Sequence, residues 1–586
     1  MNWLKKFLGV ILLGVLLAVR STPGAGAESI VVSPLDWYIG TIQKDMSGTG
    51  YYDYGIHPSI AVHPLTGSPH VTSFSAGTGL KFLTNAFRLE NIAGNCNGGI
   101  SEPPVPFIGW HCPSIVTESS ENLGYDSAIA FDASGNYGIA YKANGKFTLK
   151  RYDKYESPTG TTDYATTLTS DRSFASVAYD SFGTAFIAYD GWFSGGSGLY
   201  TYRLPDSNGY NSYPEIEYYA APSLTVGNKF PSIDVTFPLN MARIAYQTFA
   251  LGYLNYAENV SSGTETSCRK SYNANVNPYW RCFTVDATTG YASYISLYAS
   301  KDPLYPTRIA YYDTGTYKLK LATKTGSGNC GAGTDTGWNC VEIDTIGTGP
   351  STSELGISLV VVDGNPVIAY IDRDDQSNSI LKLARYVTSG GNCGPSNSWY
   401  CEVVDDGSGT DNLESASLAY HNGIYYIAYH DKTQRSLRVA HTKFSTAPSF
   451  SMSYSPAAVL LGNKTHVTYT IKNNMADSIL GGVAFTHSFA GFTPPATFDP
   501  ASLSMSPACA GTVTFPVSNH AIKLVNGILG KGATCTISVD LRMDVLGTWN
   551  NTTSSLTSEA VNVPGVTAFI SAVNQIFNVF LPLVRR

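Results

Sequence analysis

Asp190, Asp313, Asp372 and Asp431 each stand one or two residues after a copy of the tripeptide Ile-Ala-Tyr. Carboxylates gathered at one opening can hold a cation, polarise sugar hydroxyls, or supply the acid and base that cleave a glycosidic bond. Asp374 and Asp375 crowd the third of these positions, and Tyr312 and Trp192 offer aromatic faces nearby. The same aspartates have a plainer use. Each can cap its own turn through an Asx hydrogen bond, and a residue repeated in one frame fits that role better. Asp190, Asp313, Asp372, Asp374, Asp431, Tyr312 and Trp192 are therefore ligand-face candidates, and no residue is assigned a catalytic role.

Other chemistries find less support. There is no G-x-S-x-G, no H-E-x-x-H and no Walker loop. Arg243 and Arg308 sit in the repeat, but the D-x-x-G turns lack the tryptophan of a sialidase Asp-box. His57, His63 and His70 cluster without a metal spacing and read as loop residues. The ten cysteines fall into close pairs: Cys96 with Cys112, Cys268 with Cys282, Cys330 with Cys340, Cys393 with Cys401, and Cys509 with Cys535. In an exported chain such pairs read as disulfides. None has zinc-site spacing, so neither a metal nor a cofactor is expected; a Ca²⁺-stabilised scaffold is the one exception kept open.

The element that positions these residues is an internal repeat. Ile-Ala-Tyr recurs at Ile139, Ile187, Ile244, Ile309, Ile368 and Ile427, with a weaker copy at Val71-Thr72-Ser73, in steps of 48 to 68 residues. Each copy reads as four short strands with D-x-x-G, D-G or N-G turns, the period of a β-propeller blade. Four copies open their last strand with Trp-x-Cys, at Trp110, Trp280, Trp338 and Trp399. The last copy lacks that strand, and Trp37–Ile42 aligns with it. The leading segment is thus expected to pair beside Leu437–Ala440 and close a seven-membered ring, which removes an open edge. Tyr164–Thr169 and Glu215–Tyr219 are the candidate fourth strands of the two copies without cysteines.

From about Phe450 the pattern changes to evenly spaced strands, among them His466–Lys472 and Thr534–Leu541. Gly482-Val483-Ala484-Phe485-Thr486, Cys509-Ala510-Gly511-Thr512-Val513, Gly532-Ala533-Thr534-Cys535 and Gly547-Thr548-Trp549-Asn550 follow in order after Asn473. This segment resembles the conserved-repeat, immunoglobulin-like modules of bacterial surface proteins. The resemblance implies a spacer. The acidic residue usual after Phe-Thr in that family is His487 here.

The expected organisation is all-β. It has a signal peptide at 1–27, a seven-bladed propeller at 28–446, an immunoglobulin-like sandwich at 450–565 and an amphiphilic tail at 566–586 that is a candidate for envelope attachment. Lys5-Lys6, the apolar run Phe7–Val19 and Ala25-Gly26-Ala27 carry the first of these. Net charge is −7, spread without blocks, so nucleic acid is a poor partner, and the apolar runs are too short or too interrupted to span a bilayer. Two function classes follow: a secreted or surface-displayed protein that binds an extracellular glycan or protein without catalysis, or a glycan-active hydrolase or lyase using the repeated carboxylates.

Overall fold

A computed structural model describes most residues between 33 and 574. The longer segments outside the described residues are 1–32, 46–51, 89–94, 97–109, 165–173, 205–216, 220–228, 260–279, 331–336, 348–354, 374–378, 490–495 and 575–586. The signal segment, Cys268, Asp374 and the tail beyond residue 574 therefore lie outside them.

The chain is all-β. Among the described residues, seven antiparallel sheets precede residue 443, numbered here in chain order by their first strands: Asp53–Val62, Leu123–Phe131, Ala175–Tyr179, Lys229–Val235, Ala292–Tyr298, Ile357–Val362 and Leu413–His421. Each first strand packs on the next, and the seventh packs on the first, so the series closes on itself. The second strands carry Ile-Ala-Tyr. Ala140, Ala188, Ala245, Ala310, Ala369 and Ala428 are all fully buried, which explains the small residue between two large ones.

Ring closure follows the expected register. Trp37–Lys44 pairs antiparallel with Ser436–Thr442, with Ile39 opposite Ala440 and Thr41 opposite Arg438. Serine hydroxyls join the sheets from within. A first strand has one ladder neighbour, so N–H groups on its other edge need an acceptor. Ser59, Ser176, Ser232 and Ser296 accept from the backbone N–H of Ile129, Ile233, Leu297 and Leu359 in the following sheet at 2.9–3.3 Å. Ser417 of the seventh sheet accepts from Ile60 of the first at 3.1 Å, continuing the pattern across the closure. Ser417→Ala is expected to lower stability by about 1 kcal/mol in denaturant unfolding. Ser232→Ala should match it; a neutral Ser417→Ala would show that the hydroxyls do not hold the ring.

The fourth strands differ in part from expectation. Sheet 2 ends with Pro158–Tyr164, earlier than Tyr164–Thr169, because its hairpin turns at Asp153–Ser157. Sheet 3 ends with the short Glu217–Tyr219. In sheet 1 the fourth strand is interrupted at Cys112-Pro113 into Trp110–His111 and Ser114–Ser119. Disulfides join Cys96 to Cys112, Cys330 to Cys340 and Cys393 to Cys401, while Cys282 is bonded with its partner outside the described residues. The Gly-Asn-Cys signature has a geometric cause. Asn329 and Asn392 each accept from and donate to the backbone of the paired cysteine, at 2.7–3.0 Å. A side chain on Gly328 or Gly391 would strike the carbonyl oxygen of Trp338 or Trp399.

Beyond Ser449, three sheets enclose one apolar core that includes Val467, Tyr469, Phe485 and Ile537. Cys509–Cys535 ties the sheet of Leu480–Ser488 to that of Lys464–Lys472. Thr567–Val573, expected in the tail, is a strand of this domain, paired with both Gly547–Thr552 and Ala458–Leu460. His487 is fully buried, takes the Tyr469 hydroxyl at 2.6 Å, and is held down to about 3 by burial, so it acts as a neutral core group.

Candidate functional site

Three of the repeated aspartates each share a cation with an aspartate from the fourth strand of the preceding sheet. Lys320 of sheet 5 lies 2.7 Å from Asp313 of the same sheet and 3.6 Å from Asp286, which ends the fourth strand of sheet 4 and accepts from the Tyr311 hydroxyl at 2.6 Å. Sheet 6 repeats this against sheet 5, with Lys382 at 2.8 Å from both Asp372 and the sheet 5 Asp344, and Tyr370 on Asp344. Sheet 7 repeats it against sheet 6, with Arg438 between Asp431 and the sheet 6 Asp405, and Tyr429 on Asp405. Burial alone would raise the Asp313 carboxyl, but hydrogen bonds from Lys320 and Thr316 hold it below the ordinary carboxylate range. The sequence carried this network as Trp-x-Cys-x-x-x-Asp on the fourth strand and Leu-Lys/Arg on the third. The aspartates are legible in the sequence as a repeated set, but without those partners.

These aspartates also aim the loops that lead into the first strands. Asp190 accepts from the Phe174 N–H at 2.6 Å, Asp313 from Gly290 at 3.2 Å and Asp372 from Gly347 at 3.1 Å. Asp431 caps its own turn at Gln434. Tyr312 is fully buried against the sheet 6 cluster, and burial pushes its hydroxyl up to about 12. Trp192 ends the second strand of sheet 3, and its side chain lies outside the described residues. Asp190, Asp313, Asp372, Asp431 and Tyr312 do not line the cavity that the loops surround.

That cavity, about 170 Å³, sits where the seven first strands begin, and every sheet contributes to it. One side is apolar. Phe174, Phe230 and Tyr294, from sheets 3, 4 and 5, form an arc with ring centroids 4.4 and 4.9 Å apart. The other side is polar, with His57, Asp126 and Ser415 from sheets 1, 2 and 7. His57, Phe230, Tyr294 and Ser415 all adopt positive φ, between 46° and 57°. Each stands two residues before a serine of the inter-sheet series, at an irregularity in strand register. A β-bulge re-aims a side chain, and backbone strain of order 1–3 kcal/mol per residue is concentrated at this one opening. Gly356 holds the same place in sheet 6, where a side chain would collide with the Ala416 nitrogen.

Asp126 and Ser415 both approach the same nitrogen of His57, Nδ1, at 3.3 and 3.4 Å. An imidazole relays a proton only when its two partners occupy different ring nitrogens, so this Ser-His-Asp set is not arranged as a nucleophilic triad. Asp126 is the one carboxylate in the lining, whereas glycosidic cleavage ordinarily uses two. Among the described residues, no group of three or more His, Cys, Asp or Glu is placed to hold a metal ion. Nor is any helix among them long and apolar enough to cross a membrane.

Residues 448–569 match a family described as a domain of unknown function, DUF7933. No curated protein matches the chain. Among solved structures, a mutant of AofleA from Arthrobotrys oligospora aligns over 65% of this chain and 93% of its own, at 11% identity and a TM-score of 0.36. The intramolecular trans-sialidase from Ruminococcus gnavus aligns over 69% and 97%, at 11% identity and a TM-score of 0.33. Aleuria aurantia lectin aligns over 61% and 96%, at 14% identity and a TM-score of 0.32. Lectin and sialidase structures thus both occur among the neighbours, and similarity at this level assigns this chain no activity.

Proposed function

We propose that the ring is a seven-bladed β-propeller carried by an immunoglobulin-like spacer, and that the chain is an exported binding protein which takes a sugar residue of an extracellular glycan into its central mouth without cleaving it. The two-sided lining carries this reading. A sugar ring has apolar C–H faces that suit the arc of Phe174, Phe230 and Tyr294, and hydroxyl edges that suit Asp126, His57 and Ser415. The paired cysteines and the apolar leading segment favour export. The pairing of Asp313, Asp372 and Asp431 with Lys320, Lys382 and Arg438 favours binding over hydrolysis.

Glycan-array screening of the mature chain, followed by calorimetry on the best ligand, tests this. Phe230→Ala is expected to weaken binding by 10- to 100-fold, about 1.5–3 kcal/mol, with the melting temperature little changed. Released product that disappears in Asp126→Asn would replace binding with hydrolysis, and unchanged affinity in Phe230→Ala would move the site elsewhere.

A further inference from the structure

A second cavity, about 320 Å³, lies at the opposite end of the sheets, at the seam between the ring and the C-terminal domain. Its walls are the first hairpin of sheet 1, the last hairpin of sheet 2, and Ile479 and Lys531 of the C-terminal domain. Three lining residues more than nine-tenths buried each hold a nitrogen without a hydrogen-bond partner among the described residues: His63 Nε2, His70 Nδ1 and Arg88 Nε. His63 accepts at Nδ1 from the Leu65 and Thr66 N–H groups, so its Nε2 carries the proton, and it and Arg88 Nε are buried donors that point to an acceptor-bearing ligand. Lys154 and Lys531 add two ammonium groups. The other wall is apolar: Phe87, stacked on His70 at 5.0 Å, with Tyr426 and Ile479.

Charge decides what fits. Glu559 already neutralises Arg88 through two hydrogen bonds to Nη2, which leaves Nε available. The one carboxylate in the lining is Glu156, which accepts from Tyr137 and lies 3.5 Å from His70. We propose that this cavity binds a small organic carboxylate, with its anionic group toward Arg88, His63, His70 and the two lysines and its apolar body against Phe87, Tyr426 and Ile479.

The same groups set a pH response. Burial pushes the Glu156 carboxyl up to about 7, and Tyr137 and Asp153 face it. Burial holds His63 and His70 below the ordinary range, so both are neutral near pH 7. Below pH 7 Glu156 is uncharged, and the ligand meets the two lysines and the N–H donors with no carboxylate of the lining against it. Above it, Glu156 ionises and repels the ligand.

Calorimetry of the full mature chain with phenylacetate, and with phenylacetamide as the uncharged isostere, tests the site. Phenylacetate is expected to bind at least about tenfold tighter than the amide, and to weaken several-fold between about pH 6 and 8. Glu156→Gln should keep the binding and abolish the pH response. Ile479→Trp, which fills the cavity, should abolish binding with the fold intact by circular dichroism. Lys154→Ala with Lys531→Ala should reduce affinity about tenfold while leaving the buried wall undisturbed. Equal affinity for acid and amide, unchanged binding in Ile479→Trp, or no saturable heat up to about 10 mM phenylacetate would each overturn the proposal.

Discussion

Glu559→Ala should destabilise the protein by about 3–5 kcal/mol, more than any surface substitution. Glu559 and Arg88 are 5% and 6% exposed, and Arg88 Nη2 reaches both carboxylate oxygens at 2.8 and 2.9 Å. Removing the carboxylate leaves a buried guanidinium with no counter-charge, and its desolvation is then uncompensated. The location raises the consequence. Arg88 belongs to sheet 1, while His441, 3.8 Å from Glu559, belongs to sheet 7, so the C-terminal domain straddles the joint where the ring closes. Gly481 and Gly482 permit this approach: a side chain on Gly481 would strike Arg88 Nη2, and Gly482, at φ 64°, faces Tyr38. Urea unfolding measures the loss. Arg88→Met combined with Glu559→Leu should recover most of it, because an apolar pair of similar volume leaves no charge to desolvate. The exposed pair Lys464–Asp499 supplies the control, and Lys464→Ala should change little. A loss in Glu559→Ala no larger than in Lys464→Ala would show that the pair does not clamp the seam.

Lys320→Met should produce a loss of similar size and reverse the sign of the pH dependence. Asp313 and Asp286 are 0% and 1% exposed, and Lys320 is the cation between them. With Lys320 present, the Asp313 carboxyl titrates below its unfolded value. Its contribution to stability is thus full above the unfolded pKa, near 4, and is lost as pH falls through the folded value. Without Lys320, burial and the nearby Asp286 charge raise the Asp313 carboxyl above its unfolded value. Stability is then present at low pH and lost as pH rises. Lys320→Met should therefore be about 3–5 kcal/mol less stable than the parent at pH 7, and should be more stable at pH 5 than at pH 7. Lys382→Met should be milder, because Asp344 and Asp372 are 20% and 15% exposed. Thermal melts across that range decide it; a Lys320→Met curve parallel to the parent's would remove the network from the account of sheet stability.

Much of the architecture was legible as local pattern. The D-x-x-G and N-G turns, Trp-x-Cys and Gly-Asn-Cys each reflect a constraint met within one sheet, between residues close in sequence, and Ile-Ala-Tyr stands out because it repeats. The alignment of Trp37–Ile42 with Trp399–Val404 was legible for the same reason, since a missing strand leaves its pattern elsewhere in the chain. Sheet 2 was misread because its fourth strand, Pro158–Tyr164, has no cysteine or tryptophan to mark it. The aspartates were recognised as a set, but the cations that neutralise them come from the neighbouring third strand, at no fixed sequence distance from the turn.

Local pattern was enough for most strands and turns, for four of the five cysteine pairs and for the segment that closes the ring, because side-chain alternation and turn chemistry act over a few residues. Which residues share an opening was fixed by the packing of the sheets. His57, Asp126, Phe174, Phe230, Tyr294 and Ser415 are spread over some 360 positions and meet because seven first strands begin around one axis. Arg88 and Glu559, 471 residues apart, meet because one domain packs across the joint of the other. Long-range contact of this kind is fixed by how sheets stack, and sheet stacking leaves no periodic trace in the chain.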